Sequence, residues 1–341
     1  MTAASPADPF GVYVHFPYCL SKCPYCDFAS RAAPSIPHER YADGVLREIV
    51  LRADGFPSRP ATSVFFGGGT PSLWEPAQVA RVLDAIRSAY PLAPGAEVTL
   101  EANPGAADES RFSAYRAAGV NRISIGAQSF QPSVLKVLGR AHGPDEVVRA
   151  VKAARDAGFD NVSVDLIYGA PGHDLERVRD DARRAIDLGT DHLSAYALTL
   201  VHLAEEVPMA RDKALGRVHV PDDDQQADMG EVVRSELFSA GFERYEISNY
   251  AKGGKRARHN LLYWHGGDYL GLGVGASGFT RTGDGRTGLR YANKRAPEFW
   301  LEDLEAGRLS EKDRESLDAT DLFHERIFTG LRLVEGLDLD D

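Results

Sequence analysis

The sequence predicts an α/β fold built on parallel strands, and two observations carry that prediction. Six short runs rich in β-branched and aromatic residues alternate regularly with stretches in which apolar residues recur at helical spacing. Glycine and polar residues gather where the strand-like runs end, which is the edge at which parallel α/β folds place their chemistry. Such alternation implies right-handed helical crossovers and either an open doubly wound sheet or a barrel.

The strand-like runs are dominated by Val, Ile, Phe, Tyr and Thr, which fit a pleated and largely buried surface. They are, in chain order, GVYVHF (11–16), TSVFFGG (62–68), AEVTLEAN (96–103), NRISIGAQS (121–129), NVSVDLIYG (161–169) and DHLSAYALTL (191–200). The helical stretches between them are residues 38–53, 75–90, 107–119, 145–158 and 175–189. Gly119 ends the third of these stretches, where it is expected to cap the helix C-terminus.

The pattern changes after residue 200. Residues 201–220 have no clear period and predict an irregular connection. The acidic run at 222–224 then predicts the solvated first turn of a helix, which we favour over an acidic metal site. From Phe242 onward the chain becomes rich in glycine and turns. We therefore divide the chain into a tail (1–10), a large α/β core (11–241) and a smaller α+β C-terminal region (242–341).

Length and charge narrow the class of protein. A chain of 341 residues that is 43% hydrophobic can bury one large core, or a large and a smaller one. The formal charge of -11 argues against DNA or RNA as the main partner, since nucleic-acid binders usually present a basic face. No apolar run reaches the roughly 18 to 20 residues of a membrane-spanning helix, and the start, MTAASPADPF, does not resemble a signal peptide. We expect a cytoplasmic protein.

All of the cysteines lie in one short stretch, HFPYCLSKCPYCDF, at residues 15–28. They are Cys19, Cys23 and Cys26. An odd number of crowded thiols is a poor disulfide framework. Zinc would need a fourth ligand, and His15, His38 and His259 do not lie at the usual spacing. An iron-sulfur cubane held by three cysteines leaves one iron open, and an open iron can bind a substrate.

A second motif, GGGTPS at residues 67–72, follows the second strand-like run. Backbone without side chains can approach a ligand closely. A phosphate cradle is the rival interpretation, but the lysine of G-x4-G-K-[ST] is missing and Pro71 would interrupt a helix start. A plain tight turn would need fewer glycines.

The cysteine spacing, on the loop after the first strand of a βα array, resembles the radical S-adenosylmethionine (SAM) signature. In that family three cysteines hold a 4Fe-4S cluster, SAM chelates the open iron through its amino and carboxylate groups, and one electron cleaves SAM to methionine and a 5′-deoxyadenosyl radical. The resemblance implies a partial (βα)6 TIM-like barrel of the radical SAM type. It assigns Gly68, Gly69 and Thr70 to the methionine end of SAM, and it adds Tyr13 and Tyr25 to the SAM site.

Four polar residues at or near the ends of later strands complete the SAM site that the resemblance implies. They are Glu101, Gln128, Arg140 and Asp165. A zwitterionic, ribose-bearing cofactor needs acceptors for its ammonium and hydroxyl groups and a donor for its carboxylate, and this set supplies both. A lone carboxylate at a strand end is more often a helix cap or an ion-pair partner. Four such residues at one mouth favour a site.

Motifs along nearly the whole chain resemble one radical SAM subfamily, which contains the oxygen-independent coproporphyrinogen III oxidases and the heme chaperones related to them. These motifs are YVHFPYC, FFGGGTPS, LEANP, SIGAQSF, LGRAHG, VDLIYGAPG, RYEISNYA and HNLLYW. The oxidases carry a fourth cysteine two residues after the third, where this chain has Phe28. The resemblance therefore favours delivery of heme over the alternative, oxidative decarboxylation of a tetrapyrrole.

HNLLYW, at residues 259–264, fits the H-N-x-x-Y-W motif of the heme chaperone branch, in which the histidine is linked with heme binding. The resemblance implies heme contacts by His259, Asn260, Tyr263 and Trp264, since histidine is a common axial ligand and aromatic rings offer a flat apolar surface. The alternative is structural, with Tyr263 and Trp264 packing a strand onto the barrel and His259 and Asn260 ending a loop. Four cations before the motif could pair with heme propionates or be solvated, namely Lys252, Lys255, Arg256 and Arg258.

The resemblance also implies partners. They are heme, heme-acceptor proteins, an electron donor for the cluster and a second copy of the chain, and association with a membrane surface is compatible with it. Relatives continue beyond the final LRLVEGLDLDD into a further small, mostly helical region, so region 242–341 is expected to be truncated relative to the family.

Overall fold

The computed structural model describes residues 10–56, 59–105, 109–200, 207–282 and 285–337. Two short strands, β2 (Tyr18–Cys19) and β3 (Arg31–Ala32), pair with each other beside the main sheet. The other strands of the described residues form one sheet. They are β1 (Phe10–Phe16), β4 (Ala61–Gly68), β5 (Leu92–Ala102), β6 (Arg122–Gln128), β7 (Val162–Tyr168), β8 (His192–Ala197), β9 (Glu243–Arg244), β10 (Asn249–Ala251), β11 (Asp268–Leu272), β12 (Ser277–Thr282), β13 (Thr287–Asn293) and β14 (Glu311–Leu317).

Six parallel strands form the middle of this sheet, in the order β1-β4-β5-β6-β7-β8. On one side β11 pairs with β1 in parallel and continues through β12, β13 and β14. On the other side β10 and then β9 continue antiparallel from β8. The described strands end at β14 and β9 without pairing to each other, so the barrel is partial, as predicted.

The helices of the described residues pack against the sheet. They are α1 (His38–Arg52), α2 (Pro76–Ala89), α3 (Phe112–Ala118), α4 (Pro132–Val137), α5 (Pro144–Asp156), α6 (Leu175–Asp187), α7 (Pro208–Ala214), α8 (Asp223–Ser239), α9 (Arg258–Trp264), α10 (Pro297–Glu305) and α11 (Ala319–Gly330). Strand residues alternate between the helical layer and the barrel interior. In β1, for example, Val12 and Val14 are fully buried in the core, while Tyr13 and His15 take the intervening positions.

The helix boundaries follow local signals in the sequence. Gly119 caps α3 in the left-handed region, with φ of 106°, as predicted. Asp222 caps α8 and accepts a hydrogen bond from the Gln225 amide, so the acidic run begins a helix, also as predicted. Helices α4 and α7, and the C-terminal helices α9, α10 and α11, were not predicted. Three of them, α4, α7 and α10, begin with a proline in the first turn, a start signal that the short apolar pattern after it did not support. Helix α9 occupies the segment for which the structural interpretation of the sequence expected a loop and a strand.

The C-terminal region adds strands to both edges of the sheet that the core builds. The boundary at residue 242 stays a prediction. The predicted tail lies outside the described residues except for Phe10, which begins β1, and 201–206 of the predicted irregular connection also lie outside them. In the part of the chain that the structure describes, no helix has the length and apolar character to cross a membrane.

Candidate functional site

The three cysteines lie on one loop at the carboxyl end of β1. Cys19 ends β2, which is held to β3, and the Cys26 amide donates to the Cys23 carbonyl at 3.2 Å. All three are half-buried and line a pocket of about 570 Å³, a size usual for small-molecule and cofactor sites. Burial raises the pKa of the Cys19 thiol, so its ionisation as a ligand depends on a bound cation.

The glycine turn after β4 is bonded directly to the cysteine strand. The Gly69 amide donates to the Phe16 carbonyl at 2.7 Å, and the Thr70 amide donates to the Tyr18 carbonyl at 3.0 Å. A Cβ added to Gly69 would lie 2.8 Å from the Tyr18 oxygen and 3.0 Å from the Cys19 sulfur. The turn therefore needs glycine here because backbone and thiol approach each other closely.

Two carboxyl groups form the floor of the pocket. Glu101 accepts a hydrogen bond from the Gly68 amide at 3.1 Å, and Asp165 accepts from the Ser124 hydroxyl at 3.2 Å. Burial, and after it the neighbouring Asp165 carboxylate, raises the pKa of Glu101 to about 8. Burial also raises the pKa of Asp165. This floor is suited to a cationic ligand, which would favour the ionised carboxylates.

The Arg140 guanidinium and the Asn103 side-chain amide connect the floor of the pocket to the loop that carries the cysteines. Arg140 donates to the Asn103 side chain at 2.5 Å and to the Gly126 carbonyl at 3.0 Å, and it lies 3.7 Å from the Cys23 sulfur. Asn103 in turn donates to the Thr70 hydroxyl at 3.0 Å. Asn103 was not predicted as a site residue. The signal that could have found it is its position directly after β5 and two residues after Glu101, which places it on the same side as Glu101.

Most of the predicted SAM residues meet in this pocket. Those that line it are Tyr25, Gly68, Gly69, Thr70, Glu101, Gln128, Arg140 and Asp165. Phe28 and Tyr196 lie at its edge with exposed fractions of 58% and 39%, and Tyr196 was not predicted.

Tyr13 is not among the residues that line the pocket. Its hydroxyl is bonded to His15 Nδ1 at 2.9 Å, and its ring stacks on Phe65 and His259 inside the barrel. The rings of His15 and Phe65 surround it, so its contact with SAM stays a prediction.

His259 lies in the barrel interior, on helix α9. One ring nitrogen, Nδ1, is bonded to the Ser63 hydroxyl at 2.8 Å, and the other, Nε2, to the Tyr263 hydroxyl at 2.8 Å. The His259 backbone amide donates to Glu97 at 3.2 Å. The side chain is 1% exposed, and burial lowers the pKa of the imidazole to about 3, so it is neutral. In this arrangement neither ring nitrogen is open to a heme iron.

The motif lies at the opposite end of the barrel from the cysteines. Ser63 precedes Gly68 in β4 by five residues, which is about 16 Å of extended strand. Tyr263 packs its ring edge on Tyr269, and the Arg332 guanidinium lies 4.2 Å from the Trp264 ring, while Asn260 is half-buried. The heme set therefore does not join the SAM set in one cavity.

The cations before the motif already have neighbours. Lys252 lies 4.3 Å from the Phe242 ring centroid, and Arg258 donates to the Gly95 carbonyl at 2.9 Å. Lys255 and Arg256 lie 3.7 Å and 3.9 Å from carboxylates. These contacts indicate local stabilisation of the loop.

The pocket fits a cluster with three cysteine ligands and SAM. The thiols lie together on one wall, the glycine turn leaves room beside them, and the floor carries the acceptors and the donor that SAM needs. Among the described residues no three His, Cys, Asp or Glu side chains are arranged around a single metal ion. In a cubane, each cysteine binds a different iron.

Comparison with known proteins agrees with this site. The family model of the radical SAM superfamily matches residues 13–185. The fold is similar to that of coproporphyrinogen III oxidase (HemN) from Escherichia coli, a radical SAM enzyme, with a TM-score of 0.80 and 23% identity over 96% of this chain and 76% of that one.

Curated relatives cover most of the chain. The heme chaperone HemW of Escherichia coli is 42% identical over 331 residues, which are 96% of this chain and 83% of the relative. The heme chaperone HemW of Mycobacterium tuberculosis is 38% identical over 340 residues, 99% of this chain and 85% of the relative. A mitochondrial radical S-adenosyl methionine domain-containing protein 1 of Danio rerio is 35% identical over 96% of this chain and 73% of its own length. With its cysteine loop and pocket, the chain belongs to the radical SAM superfamily and, within it, to the HemW family.

Proposed function

We propose that this protein is a heme chaperone that binds a 4Fe-4S cluster, SAM and heme and delivers heme to acceptor proteins in the cytoplasm. The observation that carries the proposal is the similarity to heme chaperones over nearly the whole chain, and a pocket lined by the three cysteines and by most of the residues predicted to bind SAM supports it. Phe28, where the oxidases carry a fourth cysteine, supports this function over tetrapyrrole oxidation.

In this proposal one set of pocket residues binds the cluster and another set binds SAM. Cys19, Cys23 and Cys26 hold the cluster, which supplies single electrons when bound. Gly68, Gly69 and Thr70 hold the methionine end of SAM. Glu101 and Asp165 accept hydrogen bonds from its ammonium and ribose groups, and Arg140 and Gln128 provide further polar contacts. Tyr25 and the apolar edge of the pocket exclude water from the cluster.

The first experiment is an anaerobic hemin titration of the cluster-reconstituted protein, followed by addition of apomyoglobin as a probe acceptor. We expect a saturable shift of the Soret band and then appearance of the myoglobin spectrum. A parallel sample receives coproporphyrinogen III, SAM and dithionite, and we expect no protoporphyrinogen. Formation of that product would contradict the chaperone function and support the oxidase alternative.

The proposal includes heme contacts by His259, Asn260, Tyr263 and Trp264. These contacts require a change in the structure around His259. His259 Nε2 has to release the Tyr263 hydroxyl, and helix α9 has to open, because the histidine is 1% exposed. Tyr263→Phe removes the hydroxyl and is therefore expected to strengthen heme binding, while His259→Ala is expected to abolish the Soret shift.

Ser63→Ala removes the hydrogen bond to Nδ1 and leaves Nε2 bonded to Tyr263. Because the Ser63 bond also breaks when helix α9 opens, this variant is expected to strengthen heme binding through easier opening, without release of Nε2 from the Tyr263 hydroxyl. Unchanged heme binding in both Tyr263→Phe and His259→Ala, with each protein folded by circular dichroism, would show that heme binds elsewhere on the protein.

A further inference from the structure

Gln128 has a backbone conformation that needs support from outside its own strand. It is the non-glycine residue with a positive φ, 66°, in the described ranges from residue 10 to 337. For an L-residue this left-handed region is sterically unfavourable. Gln128 ends β6 at an irregularity in its pairing with β7, and its side chain lines the SAM pocket. Strain of this kind persists where surrounding contacts determine the backbone.

The supporting contacts converge on one buried carboxylate, Asp181 of helix α6. Its Oδ2 accepts from the Ser129 hydroxyl at 2.6 Å, and its Oδ1 accepts from the Phe130 amide at 2.8 Å. The Gln131 side chain donates to the same Oδ1 at 3.1 Å. Asp181 is 4% exposed, so these hydrogen bonds are shielded from water and satisfy a buried charge.

The same carboxylate reaches the next loop of the pocket. His173 Nε2 lies 3.4 Å from Asp181 Oδ2, and His173 Nδ1 accepts a hydrogen bond from the Ala170 amide at 3.3 Å. This loop follows β7, the strand that carries Asp165. Asp181 therefore links the loop after β6 to the loop after β7 from behind the pocket.

Room for the Gln128 side chain is also provided locally. A Cβ added to Gly126 would lie 2.8 Å from Gln128 Nε2, so the glycine leaves the space that the amide occupies. The direction of the Gln128 side chain thus depends on Gly126 beside it and on the backbone turn that Asp181 holds.

We propose that Asp181 is a positioning residue for SAM, which holds the loop at 129–131 so that the left-handed Gln128 presents its amide to the cofactor. The inference rests on the proposed SAM contact of Gln128. It does not depend on heme.

The test compares Asp181→Ala, Asp181→Asn and Asp187→Asn. Asp187 is an exposed aspartate on the same helix and serves as the control. SAM dissociation constants are measured by equilibrium dialysis on the cluster-reconstituted proteins. We expect Asp181→Ala to weaken SAM binding about tenfold, which corresponds to about 1.4 kcal/mol. Asp181→Asn should rescue part of the affinity, since its amide oxygen can still accept from Phe130, and Asp187→Asn should match the wild type.

Two further measurements separate positioning from general destabilisation. Hydrogen exchange of the cluster-free proteins should show faster exchange of the Phe130 amide in Asp181→Ala, without change in β1 and β4. In a Gln128→Gly background, Asp181→Ala should change SAM affinity less than about twofold, because the side chain through which it acts is absent.

A tenfold loss that persists in the Gln128→Gly background would overturn the inference, as would an unchanged dissociation constant in Asp181→Ala with a lowered melting temperature. Failure of the reconstituted wild-type protein to bind SAM would overturn the proposed function and this inference together. Failure of heme binding alone would overturn the chaperone function and leave the inference supported by the SAM measurements.

Discussion

The charge of single residues in the pocket is set by their burial. Glu101 and Asp165 face each other across the floor, where desolvation and mutual repulsion oppose two negative charges. Burial raises the pKa of Glu101 to about 8, so in the ligand-free protein this carboxyl is largely protonated at neutral pH. A cationic ligand would favour its ionised form, and the site would release a proton on binding.

The raised pKa of Glu101 predicts how stability depends on pH. Between its ordinary value of 4.5 and about 8, the folded state holds a proton that the unfolded state has lost. The contribution of Glu101 to the free energy of unfolding of the cluster-free protein should therefore fall as pH rises through this range. Buried imidazoles with a lowered pKa, such as that of His259, contribute the opposite sign below pH 6.5. Urea denaturation of the wild type and of Glu101→Gln at several pH values isolates the Glu101 contribution, and the wild type should lose stability relative to the variant as pH rises. A slope that is the same in the variant would show that Glu101 ionises at its ordinary pKa.

Among the structural elements, the glycine turn after β4 leaves little room for larger side chains. It lies against β2, and its amides pair with carbonyl groups on both sides of Pro17. On one side the turn contacts the loop that carries the cysteines. On the other side its Gly68 amide donates a hydrogen bond to Glu101 of β5. The same turn therefore contacts both the loop of the predicted cluster ligands and a residue proposed to bind SAM.

Gly69→Ala should disturb the contact between the glycine turn and the strand that carries Cys19. The added methyl group would lie 2.8 Å from the Tyr18 oxygen and 2.9 Å from the Phe16 oxygen, so the turn and the cysteine strand must move apart. We expect a loss of about 1–3 kcal/mol in stability and reduced iron content after reconstitution. Gly55→Ala is the control, because no atom lies within 4 Å of its added Cβ. Full iron incorporation in Gly69→Ala would contradict the close approach.

Across the whole molecule, a buried ionic network joins the first helix to the C-terminal strands. Arg52 donates to Glu48 at 2.9 Å, to Glu311 at 2.9 Å and to Asn293 at 2.8 Å. Its guanidinium lies 3.6 Å from the Tyr291 ring centroid. These contacts bridge residues far apart in the chain, so region 242–337 is fixed to the barrel by charge as well as by strand pairing.

Arg52→Met should therefore destabilise the whole protein by about 3–5 kcal/mol, because Glu48 would stay buried without its partner. Arg40→Met, on the same helix, removes an ion pair with Glu305 whose side chains are 55% and 39% exposed. It should cost less than about 1 kcal/mol. Chemical denaturation of the two variants measures the difference, and equal losses would contradict the role of the buried network.

The sequence alone predicts the six parallel strands, most of the helices between them and an edge of the sheet at which most of the proposed SAM residues meet. The reason is that these features are local: periodicity selects strands and helices, and the ends of parallel strands meet at one edge. For this reason Glu101, Gln128 and Asp165 could be assigned to one mouth of the sheet before any coordinates were known. Tyr13 shares the inward direction, but its depth in the barrel and the rings around it could not be derived from its position in β1.

Tertiary structure alone decided which side chains are free to act. From the sequence, HNLLYW resembles a heme-binding motif with an accessible histidine. In the structure, packing buries His259 between Ser63 and Tyr263, at the end of the barrel opposite the cysteines. Asp181 looks like one more acid on a charged helix, yet it lies on the buried face beside Val178 and Ala182 and accepts hydrogen bonds from the loop after β6. The burial and the hydrogen-bond partners of a side chain depend on residues distant in the chain. Sequence motifs and hydrophobic periodicity depend only on neighbouring positions.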